Sequence, residues 1–133
     1  MGHCGAVVIF MEDEYAEDIL GNNDGFDYFQ SFEEDENNKS WYRGFILKDG
    51  KENDCMYIAR DGEKYAYRAE IEDVDWDKTL KTLDFCAFVD YRMNIQDIDF
   101  MDKNGKFNYD EFHEFFKNRL PNGSMVELFD VHI

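Results

Sequence analysis

AVVIFM, residues Ala6 to Met11, is an unbroken run of β-branched, aromatic and other apolar side chains with no position left for water. Strict alternation would mark a half-buried strand. A continuous apolar run of this length marks one covered on both faces, so the segment reads as a central strand. Next comes EDEYAEDIL, Glu12 to Leu20, in which Tyr15, Ala16, Ile19 and Leu20 share one helical stripe. Acids fill its first turn, where the helix dipole favours them, and Gly21 ends it. Glu14, Glu17 and Asp18 are thereby expected on the outer face.

Beyond the NNDG turn, FDYFQSF suits either a helical turn or irregular packing. From Ser40 the pattern is a meander, with WYRGFILK, CMYIAR and YAYRAEIE separated by DGKEND and DGEK and read as antiparallel strands. In the last of these, Tyr65, Tyr67, Ala69 and Ile71 alternate with Ala66, Arg68, Glu70 and Glu72, giving one core face and one largely wet face. Trp76, Leu80, Leu83, Ala87 and Tyr91 then recur with the helical period behind Asp75, which predicts the longest helix, capped by Asp75 or a neighbouring Asp. IDFMDKNGKFN reads as a hairpin turning at Asn104 and Gly105. It leads into a helix, YDEFHEFFKNRL, with Asn108 as cap and Glu111 three residues on. SMVELFDVHI closes the chain as a strand in which Met125, Glu127, Phe129, Val131 and Ile133 alternate with Val126, Leu128, Asp130 and His132. The expected architecture is α+β, a single domain over residues 1–133. It is a mainly antiparallel sheet of about five to six strands with two to three helices on one face.

The chain has 133 residues with 44% hydrophobic and 17% aromatic content, enough to bury a core. Its net charge is −17, from 31 acids against 14 bases. That balance repels nucleic acid and anionic membranes, and it favours a cationic partner, metal ions or plain solubility. The run Ala6 to Met11 is too short to span a membrane. Cys4, Cys55 and Cys86 are odd in number, without CxxC spacing or a preceding secretory signal, so a reduced, cytoplasmic setting is expected. The three histidines, His3, His113 and His132, show no HxxxH, HExxH or HxH spacing, and no GxSxG or phosphate-cradling loop is present. No cofactor and no catalytic residue is nominated. A small carboxylate-dependent hydrolase remains an alternative that only a pocket could single out.

FMDKNGKFNYDEF, Phe100 to Phe112, resembles an EF-hand calcium loop. Asp102, Asn104, Gly105, Phe107 and Glu111 match its pattern over 100–111. Phe100 stands where the first carboxylate belongs, with Asp99 one residue out of register, and no second loop is present to pair with it. The resemblance implies a calcium-binding module using Asp99, Asp102, Asn104 and Glu111 as the alternative function. A hairpin leading into a capped helix accounts for the same residues.

The acidic clusters carry the leading expectation. Between Met11 and Glu36 there are eleven carboxylates and no Lys or Arg, namely Glu12, Asp13, Glu14, Glu17, Asp18, Asp24, Asp27, Glu33, Glu34, Asp35 and Glu36. A second cluster, Glu70 to Asp77, adds Glu70, Glu72 and Asp73. Carboxylates two apart on a strand lie about 6.5–7 Å apart, and those at i and i+4 on a helix about 6 Å apart, close to the phosphate spacing of a nucleic-acid strand. Solubility alone needs a net charge of only about 2 to 8 in magnitude. The composition therefore points to a non-catalytic inhibitor that blocks a basic partner: a nuclease, a toxin or a nucleic-acid-guided effector, as anti-CRISPR, DNA-mimic and immunity proteins do. Tyr15, Phe26, Tyr28, Trp41 and Trp76 are its candidate aromatic anchors.

Overall fold

A computed structural model of the chain describes residues 3–22, 25–34, 39–84, 87–90, 95–96, 110, 114 and 123–132. The fold is α+β. Strand β1 (His3–Phe10) runs into helix α1 (Ala16–Gly21) and strand β2 (Tyr28–Ser31). A short 3-10 turn, Lys39–Trp41, precedes the hairpin strands β3 (Met56–Ile58) and β4 (Lys64–Ala66). Then come β5 (Arg68–Glu70), a 3-10 turn at Ile71–Asp73, α2 (Trp76–Thr82), β6 (Ala87–Val89), β7 (Ile95–Gln96) and β8 (Met125–His132).

The main sheet has six strands in the order β2-β8-β1-β6-β7, with β5 also paired to β8. Every pairing is antiparallel except β1 with β6. As AVVIFM predicts, β1 is central, flanked by β8 and β6 and buried from Gly5 to Phe10. The other central strand is β8, the closing strand that SMVELFDVHI predicts. Positions 126–131 are all buried, so β8 has no wet face and encloses Glu127 and Asp130. FDYFQSF resolves into strand β2, held against the second half of β8 from Tyr28↔His132 to Ser31↔Phe129.

One face of the sheet packs Val7, Ile9, Phe88, Val126 and Leu128 under the β3–β4 hairpin and α2, with Phe32, Phe45, Tyr57 and Leu80 in the same cluster. On the other, Ala6, Val8, Phe10, Phe129 and Val131 pack against Ala16, Ile19 and Leu20 of α1. Helices α1 and α2 thus cover opposite faces instead of sharing one. The helix behind Asp75 is also shorter than its stripe implies. Asp75 caps it by accepting from Lys78 N, but it ends at Thr82, and Ala87 belongs to β6. The apolar residues Ala87–Val89 outweigh the helical period because they form a strand beside β1, where Phe88 and Val89 are buried on opposite faces. YAYRAEIE likewise divides at Tyr67, with β4 pairing β3 while β5 joins β8. WYRGFILK contributes only isolated bridges, Phe45↔Ala66 and Leu47↔Val74. The predicted hairpin at Asn104 and Gly105, the Asn108 cap and most of the helix after it lie outside the described residues.

Gly44 permits the close approach of this segment to the hairpin. A Cβ there would sit 2.6 Å from Ala66 O and 2.8 Å from Tyr57 Oη, inside ordinary contact. Gly44→Ala is therefore expected to destabilise the fold by about 1–3 kcal/mol, seen as a lower urea midpoint with an unchanged slope.

Candidate protein-binding surface

Strand β1 leaves the sheet at Phe10 and turns immediately. Glu14 N donates to Met11 O at 3.0 Å and Met11 N donates to Glu14 Oε2 at 3.3 Å, closing the turn and holding Glu12 and Asp13 exposed at its tip. Glu14 is consequently half-buried and folded back, and does not join the outer face. Glu17 and Asp18 do stand exposed on α1. Tyr15 departs from its predicted stripe: it is the N-cap, extended in backbone, and 75% exposed. The core stripe needs only Ala16, Ile19 and Leu20.

The second acidic cluster arrives at the same place. The register places Phe10 beside Met125 and Met125 beside Glu70, so the end of β1, the start of β8 and the end of β5 form one end of the sheet. Glu70 and Glu72 are exposed there, and Glu72 Oε1 accepts from Gly123 N at 3.2 Å. Gly123 also lines a cleft of about 450 Å³ with Met11, Glu12 and Asp13. Two stretches nearly sixty residues apart thus present Glu12, Asp13, Glu70 and Glu72 on one end, with Tyr15 following at the cap of α1 and Glu17 and Asp18 in its first turn.

The remaining expected acids are placed differently. Asp73 is half-buried, 3.7 Å from Lys51 Nζ. Glu33 and Glu34 are exposed just beyond β2, their backbone N–H groups donating to Ser31 Oγ and Ser31 O. Asp27 belongs to the opposite end, 2.7 Å from His132 Nδ1. Asp24, Asp35 and Glu36 lie outside the described residues, as do Asp99, Asp102, Asn104 and Glu111 of the calcium-loop alternative. Of the other aromatic anchors, Trp76 is committed to the interior, packed on Phe45 at 5.9 Å and donating to Ile71 O. Phe26 packs against the α1-side core. Trp41 and Tyr28 are exposed but lie toward the far end, Trp41 under the Arg60 guanidinium.

Sequence reasoning missed the buried carboxylates of β8. Glu127, 6% exposed, accepts from Ser31 Oγ at 3.3 Å and lies 3.7 Å from Arg68 Nε. Burial pushes its carboxyl up to about 7 against the pull of Arg68 and Ser31, and the nearby acids Glu17 and Glu33 add to the rise. The signal was an acid set between Val126 and Leu128 in an otherwise apolar run. The neighbouring cleft of about 430 Å³ is walled by Cys55, Arg68, Glu70 and Met125, among others, and Glu127 is not among its walls.

The cysteine expectation is also revised. Cys4 is disulfide-bonded, while Cys55 is a half-buried free thiol whose acidity burial weakens. The odd count therefore does not indicate a wholly reduced chain. Among the described residues no helix is long and apolar enough to cross a membrane. Comparison with protein-family models, with curated proteins and with solved structures finds no match to this chain.

Proposed function

We propose that the protein is a non-catalytic acidic inhibitor that binds a basic, nucleic-acid-handling partner, a nuclease or a guided effector, and occupies its substrate groove. The observation that carries this reading is the convergence of Glu12, Asp13, Glu70 and Glu72 on one end of the sheet through the Phe10–Met125–Glu70 register. A rigid sheet end holds charge in fixed positions. It lowers the ordering cost of binding and lets electrostatic attraction raise the encounter rate. Tyr15, exposed beside this end, supplies the kind of aromatic contact that anchors an interface. A cytoplasmic setting belongs to this proposal, since intracellular nucleases and guided effectors act there.

The test is retention of host proteins on the immobilised protein at low salt, elution at high salt and identification by mass spectrometry. A basic nuclease or nucleic-acid-binding protein is expected in the salt-eluted fraction, with its activity blocked by the pure protein. Nucleic acid alone is expected not to bind, because no basic stripe is available to release its counterions. A mobility shift with DNA or RNA alone at physiological salt would overturn the proposal.

A further inference from the structure

We propose that His3 and His132 jointly bind one transition-metal cation of the zinc, copper or nickel type through their Nε2 atoms. The antiparallel register of β1 and β8 sets His3 directly opposite His132, which puts both side chains on one face at the end of the sheet remote from the acidic cluster. Their ring centroids are 5.3 Å apart with planes inclined at 65°. A zinc–imidazole bond of about 2.0–2.1 Å plus ~1.2 Å from nitrogen to ring centre sets each centroid roughly 3.2 Å from the ion. Two such arms at a tetrahedral angle separate the centroids by about 5.2 Å. The observed spacing accommodates a single tetrahedral ion, and the same ring of His3 also stands 5.3 Å from the Tyr28 ring.

A second observation concerns the other ring nitrogens. His3 Nδ1 donates to Asp130 Oδ1 at 3.0 Å, and His132 Nδ1 donates to Asp27 Oδ1 at 2.7 Å. A histidine that ligates a metal almost always gives its second N–H to a carboxylate, carbonyl or water, which fixes the tautomer and raises the basicity of the ligating nitrogen. Both rings have that partner here. Asp130 is itself held firmly, being 2% exposed and also accepting from Tyr42 Oη–H at 3.2 Å. The His3 and His132 side chains are 50% and 32% exposed, so an ion can reach them from solvent. Paired imidazoles favour zinc, copper and nickel over calcium and magnesium. Among the described residues no group of three or more His, Cys, Asp or Glu is arranged to hold a metal, so two imidazoles carry the proposal and the expected affinity is modest.

The experiment is calorimetric titration of the full chain with zinc chloride, and separately with nickel chloride, in excess magnesium to saturate the carboxylate surface. One saturable site in the micromolar range is expected. His3→Ala and His132→Ala should each weaken it at least 10-fold, and Asp27→Asn roughly 10-fold through the lost Nδ1 partner. In the unmutated protein, zinc should shift the imidazole proton resonances of His3 and His132 and leave those of His113 in place, a readout that does not depend on any variant folding. Single-histidine variants that bind as tightly as the parent would overturn the proposal. So would the absence of a magnesium-resistant site, or zinc shifts confined to His113.

Discussion

Glu127→Gln is expected to stabilise the protein at pH 8 and to remove a fall in stability that the parent shows between about pH 4.5 and pH 7. The folded carboxyl titrates at about 7 and its ordinary value is 4.5, so the native state holds the proton more tightly than the unfolded chain. Its contribution to stability is therefore complete at low pH and is lost as pH rises through that window, with no further change above it. The difference corresponds to roughly 3 kcal/mol at pH 8, at about 1.36 kcal/mol per unit. Gln reproduces the neutral acid and can still accept from Ser31 without paying for a buried charge. Other carboxylates also titrate across this range, so the quantity to measure is the difference between parent and variant in urea unfolding at pH 5 and pH 8. That difference should grow by about 2 kcal/mol in favour of the variant. Arg68→Gln should act in the opposite sense, leaving the ionised carboxylate without its cation and costing about 1–1.5 kcal/mol at pH 8, because a carboxyl that titrates at about 7 escapes a larger penalty by taking up a proton. A parent and a Gln variant that track each other across pH would show that Glu127 is not a buried titrating group.

The same residue marks where the sequence was hard to read. AVVIFM announces a doubly covered strand because every position is apolar, and EDEYAEDIL announces a helix because its apolar positions recur with the right period. In β8 the polar residues Glu127 and Asp130 are three apart and so fall on opposite faces of the strand. The register opposite β1, β2 and β5 covers both of those faces, and Arg68, Ser31, His3 and Tyr42 provide their partners from distant segments. Partners that far apart in sequence leave no local signal. The meeting of His3 with His132, and of Glu12 and Asp13 with Glu70 and Glu72, is hidden for the same reason: each follows from strand pairing, which composition does not encode. Ala87 shows a different failure. It continues the stripe from Trp76 in sequence, but its place is fixed by pairing with Ala6 in the parallel β1–β6 ladder. Tyr15 was placed in a core stripe that Ala16, Ile19 and Leu20 already fill, and so it faces water at the acidic end.

Reversing the charge of that end should have the largest effect on partner binding. In a Glu12→Lys, Asp13→Lys, Glu70→Lys, Glu72→Lys variant the fixed attraction becomes repulsion at the point where two acidic stretches meet. Association with the captured basic partner should slow by on the order of 10- to 1,000-fold at low salt. The slope of affinity against salt should flatten with it, since the lost interactions are the screened ones. Reversal of Asp27, which lies at the opposite end of the sheet beside His132, should change the rate far less, and this contrast separates a located surface from a general effect of net charge. Tyr15→Ala should instead raise the dissociation rate and cost about 2 kcal/mol, because an aromatic anchor acts through desolvated contact and not through long-range steering. Glu72 is the one reversed position with a structural bond, accepting from Gly123 N, so a triple variant that keeps Glu72 guards against a folding artefact. If that triple variant, folded by circular dichroism, binds and inhibits as rapidly as the parent, the acidic end serves solubility and the inhibitory surface lies elsewhere on the chain.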